Sequence, residues 1–325
     1  LVRLPTPAVS IAIRAYRRRW LGAAVSSVLA QTHHDLELVI YDDAGDLEDV
    51  ANAARDGRVR YHRAERRLQA SGRFLAAVGV CRAPYVGLLD DDDRYEPAFV
   101  ARLLEALEKD PEAGVAFCRT TWEADGRRIR PRDSRPPGRQ PNLPTAMLAD
   151  GWTVAPSQML VRRTALEAAA RVQPMPDGVA PDVFVNVRIA LAGWHHVLVD
   201  APLVVCRWHA DQSSRRFPSA NDVAVATWRS IELGEAALSR LRDRRLARAH
   251  LVRAFDRLRA GDTRGAREDV RAAAGACHSA WRGPRRLLRA AAAVGPAGRM
   301  AATAWLAWSP QGRRRAEPPL VIGDR

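Results

Sequence analysis

Compact apolar runs alternate with helically spaced apolar positions through the first third of the chain. Val9–Ile13, Leu36–Tyr41, Val59–His62 and Tyr85–Leu89 have strand length. Between them, Trp20–Gln31 sets Leu21, Ala24, Val25, Val28 and Leu29 at helical spacing, and Ser71–Cys81 is a second helical stretch. This order predicts a parallel sheet with helices on its faces. Val197–Val205 is a later strand, made an edge or a bent one by Pro202. Asp125–Pro144 is rich in Arg, Pro and Gly without an apolar period, and an exposed connection is expected there. From Ala220 onward strand-like runs cease. Helices are expected over Val223–Arg240, Asp243–Ala260 and Thr263–Ala276, the last two paired across Ala260-Gly261-Asp262. A disordered tail is expected after Ser309.

Two of the strands run into carboxylates. Leu36–Tyr41 ends in Asp42-Asp43-Ala44-Gly45, and Tyr85–Leu89 drives into Asp90, Asp91, Asp92 and Asp93. Ligands of open α/β sheets sit outside the carboxyl ends of strands, so these acids mark one edge as the place for chemistry. Four adjacent like charges raise each other's pKa and call for a cation. Carboxylate oxygens suit magnesium or manganese, which keep positions open for phosphates. A chain extended past Leu89 would project Asp90 and Asp92 to the same side. The glycine and closing glutamate of an EF-hand are missing. A solvated turn is the plain alternative.

Composition changes the picture only modestly. The 325 residues, 47% hydrophobic, allow one large domain plus an appendage. The formal charge of +14 favours anionic ligands, membrane surfaces or nucleic acid. Nearly all basic residues are arginine, Lys109 being the exception, and that skew weakens inference from any one of them. Few aromatics are interleaved with the basic residues, so no nucleic-acid partner is expected. Cys81, Cys118, Cys206 and Cys277 lie far apart, as free thiols of a reducing compartment do. No signal-peptide pattern precedes the first strand, and Arg289, Gly295-Pro296 and Arg299 interrupt the apolar segment Leu287–Trp308. The expectation is a cytoplasmic protein. Its basic C-terminal helices are a plain cap or a peripheral contact with an anionic membrane.

Four stretches carry a resemblance when taken in order. They are Val9–Tyr16, Ser26–Thr32, Leu36–Asp43 with its paired aspartates, and Gly87–Asp93. Together they resemble the family 2 glycosyltransferases of the GT-A fold over about the first two-thirds of the chain. The resemblance implies an α/β, Rossmann-like, mostly parallel sheet over 1–219, with a nucleotide-sugar-binding half at 1–124 and an acceptor half at 145–219. A helical region at 220–310 and a tail at 311–325 follow.

The activity implied is a metal-dependent, inverting transfer from a nucleotide-diphosphate-sugar, UDP-sugar by default. The acceptor is a hydroxyl of a glycan, a lipid-linked glycan, a peptide or a small molecule. Matched by position, Asp43 accepts a base N–H and Tyr16 stacks on the base. Asp90, Asp91 and Asp92 match the acidic motif, with Asp92 as direct ligand of manganese or magnesium and Asp91 near the ribose or diphosphate. Arg14 joins the donor-binding positions, and Arg66, Arg67 or Arg73 reaches the diphosphate, Arg73 being assigned there. Ala155–Arg163 looks like the segment leading into the acceptor half. Asp182 falls where the family carries its catalytic base, with an N-cap as the plain alternative. His209, in Arg207–Ser213, matches a metal or phosphate ligand.

Arg14, Arg17, Ala44-Gly45 and Pro181 depart from the family's pattern. A nucleotidyltransferase would want a glycine-rich loop where Arg14–Arg18 stands. A non-catalytic, basic module that binds anions or membranes is the other alternative.

Overall fold

The computed structural model describes residues 6–16, 18–43, 45–124, 126–130, 135–140, 143–150, 154–209, 212 and 219–277. Arg17, Ala44, the segment Leu287–Trp308 and the tail after Ser309 lie outside these residues. The described chain forms two compact units, one within Leu1–Leu143 and Thr153–Arg207, the other within Pro144–Trp152 and Trp208–Leu320.

In the first unit, β1 (Val9–Ala15), α1 (Arg18–Leu29), β2 (Leu36–Asp42), α2 (Glu48–Ala53), β3 (Val59–Arg63), α3 (Ala70–Gly79) and β4 (Tyr85–Asp90) follow the expected alternation. The short β5 (Arg94–Tyr95), α4 (Phe99–Lys109), β6 (Ala113–Ala124), β7 (Arg127–Ile129) and β8 (Gly138–Arg139) come next. After α5 (Leu143–Asp150), which apart from Leu143 belongs to the second unit, the first unit resumes with β9 (Met159–Arg162), α6 (Arg163–Val172), α7 (Pro181–Leu191) and β10 (His195–Arg207). The strands lie in the order β3-β2-β1-β4-β9-β6-β10-β5. Strands β1 to β4 are mutually parallel, and β9 is antiparallel to both its neighbours. Strand β2 is buried along its whole length, and β1 nearly so, as strands covered on both faces are. Helix α4 shows why the helices dock: Phe99, Val100, Leu103, Leu104 and Leu107 recur at spacings that make one apolar stripe, and all five are buried.

Register sets the edge that matters. Arg14 lies opposite Tyr41 on one side and Asp90 on the other, and Ala15 lies opposite Asp42. The carboxylates that close β2 and β4 therefore share the carboxyl edge, as expected. The strand ends at Asp90, however. The Asp93 N–H bonds back to the Asp90 carbonyl at 3.1 Å, so Asp91 and Asp92 occupy a turn, and the same-side projection of Asp90 and Asp92 is lost. The connection 125–144 is less irregular than its composition suggests, because β7 folds back on β6 and β8 pairs with β10. Backbone pairing, which the arginines do not oppose, wins there. Strand β10 is bent at Pro202, with register shifts on both sides of it, and is not an open edge where β8 and β5 pair with it.

The opposite end of the sheet is clamped by one carboxylate. Glu37 is buried and accepts from Ser10 Oγ at 2.6 Å, from the Arg82 N–H and Nε at 2.8 Å each, and from Arg60 Nη1 at 3.0 Å. Burial pushes its pKa up, but these hydrogen bonds outweigh burial and hold the carboxyl below its usual range.

The second unit contains α8 (Ser219–Ser230), α9 (Ala236–Arg259) and α10 (Thr263–Ala276). The helix expected over Val223–Arg240 is thus two helices, separated near Gly234, while α9 begins before Asp243 because nothing between Ala236 and Ala260 breaks it. Helices α9 and α10 pair across Gly261, at φ +87°, and Asp262 caps α10 by accepting the Gly265 N–H at 2.8 Å. Leu251, Ala254, Phe255, Leu258, Ala266 and Val270 are among their shared apolar core. Beside it the buried Asp269 accepts from His250 Nδ1 at 2.6 Å and from Arg253 Nη2 at 2.6 Å, with Arg257 Nη1 at 3.0 Å. Among the described residues no helix is long and apolar enough to cross a membrane.

Replacing Glu37 by Gln leaves Arg60 and Arg82 without their shared anion and costs about 2–4 kcal/mol of unfolding free energy at neutral pH. A folded pKa below the unfolded one stabilises above the unfolded value, about 4.3, and that stabilisation is lost as pH falls through the folded value. Denaturant unfolding of wild type and Glu37→Gln should therefore converge in acid.

Candidate active site

The four acids at the end of β4 have four different surroundings. Asp90 forms an ion pair with Arg14 across the β1–β4 register, and its N–H donates to Ser157 Oγ at 3.1 Å. Asp91 is buried, and its Oδ2 accepts the Tyr16 N–H at 2.6 Å. Asp92 sits half-buried in the turn. Asp93 Oδ1 accepts the Arg207 N–H at 3.1 Å. Burial first, then the charges of Asp90 and Asp92, push the Asp93 carboxyl well above its usual pKa. The cation that the sequence demanded is supplied in part by the protein itself, as Arg14.

Asp42 and Asp43 divide structure from site. Asp42 Oδ1 accepts the Gly45 N–H at 2.7 Å, and its Oδ2 accepts the Leu47 N–H at 3.0 Å and the Tyr61 hydroxyl at 2.6 Å. Burial and this bond to Asp42 push the Tyr61 phenol up to about 12. Asp43 instead faces the segment before and within α3, taking the Leu68 N–H at 3.1 Å on Oδ1 and Arg73 Nη1 at 3.2 Å beside Oδ2. Arg73, assigned to a diphosphate from the sequence, is thus paired with Asp43. The Tyr16 hydroxyl accepts from Arg67 Nη2 at 2.7 Å.

Asp182 reaches the same edge from α7. Ala180 is the N-cap and Pro181 the first helical residue, so Asp182 lies in the first turn and the N-cap alternative for it does not hold. Burial raises its pKa. The neighbouring backbone N–H groups and the Arg14 charge pull it down, and the Asp90 charge pushes it up. Asp182 therefore shares the electrostatic neighbourhood of the Arg14–Asp90 pair.

Its helix is buttressed from behind. Asn186 Nδ2 donates to the Asp182 carbonyl at 2.7 Å, and Asn186 Oδ1 lies 2.8 Å from His196 Nε2. Burial lowers the His196 pKa to about 3, which keeps the ring neutral. A neutral ring nitrogen donates to Asn186 Oδ1.

Arg14, Asp90 and Asp182 are brought together, as are Tyr16 with Asp91 and Asp43 with Arg73. His209 follows β10 and belongs to the second unit. Ser157, Asn186 and Arg207 were not singled out from the sequence. Ser157 lies within Ala155–Arg163 and Arg207 opens Arg207–Ser213, whereas Asn186 has no sequence signal beyond being polar in a mainly apolar stretch.

Among the described residues no group of three or more His, Cys, Asp or Glu is arranged to hold a metal ion. Asp90 and Asp91 are engaged by Arg14 and the Tyr16 N–H. Asp92 presents the hard oxygen donors that magnesium or manganese takes, one or two carboxylates at a time, alongside substrate phosphates. The donor set fits such an ion only when a phosphate completes it.

Residues 10–169 match the family described as glycosyl transferase family 2. An uncharacterized glycosyltransferase of Nostoc sp. is 28% identical over 177 residues, covering 51% of this chain and 54% of that protein. A UDP-Glc:alpha-D-GlcNAc-diphosphoundecaprenol beta-1,3-glucosyltransferase of Escherichia coli is 29% identical over 103 residues, covering 31% of this chain and 41% of that protein. The chain thus spans about half the length of the first of these relatives and less of the second. Among solved structures, S. aureus TarS 1–349 in complex with UDP-GlcNAc superposes with a TM-score of 0.67 at 14% identity, covering 91% of each chain.

Replacing Asp42 by Asn sets an amide donor against the Gly45 N–H or the Leu47 N–H, whichever way the amide is turned. This should cost about 2–3 kcal/mol in denaturant unfolding, with the loop after β2 the first part to lose hydrogen-exchange protection.

Proposed function

From membership of glycosyl transferase family 2, carried by residues 10–169, we infer the reaction of this chain. It is a sugar transferase of GT-A fold. We propose that its donor is a nucleotide-diphosphate-sugar, UDP-sugar in the first instance, its acceptor a hydroxyl group, and its stereochemical course inversion. We assign the chemistry to the first unit.

The observation that supports this reading is that Asp182 is a buried carboxyl of raised pKa on which the charges of both Arg14 and Asp90 act. A carboxylate of raised pKa is a stronger base. Asp182 takes the proton of the acceptor hydroxyl as that oxygen bonds to the anomeric carbon. The bond from that carbon to the diphosphate oxygen breaks on the opposite face, and its electron pair leaves with the nucleoside diphosphate. Tyr16 and Asp43 are assigned to the base of the nucleotide, and Arg14 keeps Asp90 compensated while Asp182 is ionised. A divalent ion held by Asp92 and the donor phosphates would neutralise the leaving diphosphate.

Calorimetric titration with UDP, with and without manganese, tests the donor site. Metal-dependent binding that is lost in Asp92→Ala supports the assignment, and absence of binding by UDP, GDP and dTDP alike overturns it. Asp182→Asn should keep UDP affinity while slowing UDP release from the donor sugar by about 10²–10⁴-fold. The acid limb of the wild-type rate profile should lie above the pKa of an ordinary aspartate. The rate falls as pH drops through the raised pKa, because the base is then protonated.

A further inference from the structure

The side chains assigned to the nucleoside are already engaged by arginines of one short segment. Arg67 Nη2 donates to Tyr16 Oη at 2.7 Å, and its guanidinium carbon lies 4.7 Å from the ring centroid. On the same segment Arg73 pairs with Asp43 at 3.2 Å, and the Leu68 N–H takes the other carboxylate oxygen at 3.1 Å. Tyr16 also touches the acid turn, through its N–H on Asp91. Arg67, at the hydroxyl end of Tyr16, and the acid turn, at its backbone N–H, thus share that one residue.

The two arginines differ in how firmly they are held. The Arg73 side chain is 25% exposed, lies in α3 and faces an Asp43 carboxylate with no exposure, so removing it would strand a buried charge. Arg67 is exposed and precedes α3, and its partner among the described residues is a neutral hydroxyl with its ring face. An exposed contact of that kind is weak and easily exchanged. A diphosphate offers the same guanidinium a charge-assisted, bidentate partner, which is much stronger.

We propose that Arg67 is a specificity-determining residue of the donor site: it covers Tyr16 while the site is empty and moves to the diphosphate when a nucleoside diphosphate binds. The proposal rests on the donor-site reading above. A nucleoside without phosphates must displace Arg67 from Tyr16 and brings no anion to receive it. A nucleoside diphosphate recovers that cost, so the site selects for phosphates by more than the direct phosphate contacts of the acid edge supply.

The test measures UDP by calorimetry and uridine by ligand-observed NMR, on wild type, Arg67→Ala and Arg67→Lys. GDP and dTDP are run in parallel with their nucleosides. Arg67 is exposed, so both variants should fold as wild type does. In Arg67→Ala the diphosphate should bind about tenfold more weakly or worse, while the nucleoside binds as well as before or about two- to threefold tighter. The Lys variant keeps the charge without the planar fork and should fall between. If diphosphate and nucleoside weaken by the same factor, or if diphosphate affinity is unchanged in Arg67→Ala, the proposal is wrong. If wild type binds none of the three diphosphates, the donor-site reading fails and takes the proposal with it.

Discussion

Everything at the working edge of the sheet depends on the ion pair between Arg14 and Asp90. Four consecutive carboxylates at the end of a buried strand repel one another, and an apolar sheet cannot shelter them uncompensated. Parallel register between β1 and β4 puts a guanidinium directly opposite the first of them. The second is held by a backbone N–H, the fourth is driven toward its neutral form by burial, and Asp92 remains in the turn. The same guanidinium acts on Asp182 from α7. One arginine thus compensates the acidic edge and conditions the candidate base.

The two ends of the parallel strands have opposite characters. At the amino end Glu37 spends its hydrogen-bonding capacity on Ser10, Arg60 and Arg82, and the surrounding backbone is fixed by it. At the carboxyl end the charged groups are shared among short-range partners from β1, α3, α7 and the turn after β4. Stability is concentrated where no chemistry is needed. The candidate edge carries exposed contacts such as Arg67 on Tyr16, and that division lets substitutions at the two ends be read separately.

The strand and helix order was legible because its signal is periodicity, which survives in a single sequence. Paired acids at two strand ends were legible for the same reason: topology alone sends them to one edge. What escaped was anything decided by pairing across distance. Strands β7 and β8 are too short and too polar to announce themselves and exist because β6 and β10 offer edges. Asp42 and Asp43 look alike in sequence, yet the first is consumed by Tyr61 and two loop N–H groups while the second faces Arg73. The helix expected over Val223–Arg240 failed at Gly234, a breaker whose weight depends on the packing of its neighbours. Asn186 and His196 form a buried pair that no spacing rule connects.

Strand β9 carries a consequence for the time course of folding. It is four residues long, and it alone joins the parallel block β3-β2-β1-β4 to the block containing β6 and β10. Its partner β4 lies about seventy residues earlier in the chain. Until Met159–Arg162 is in place, β4 and β6 each present an unpaired edge, and both are rich in apolar residues. A chain emerging from the ribosome must carry those open edges while more than half of the first unit is already made, a window in which intermolecular strand pairing competes with the native insertion.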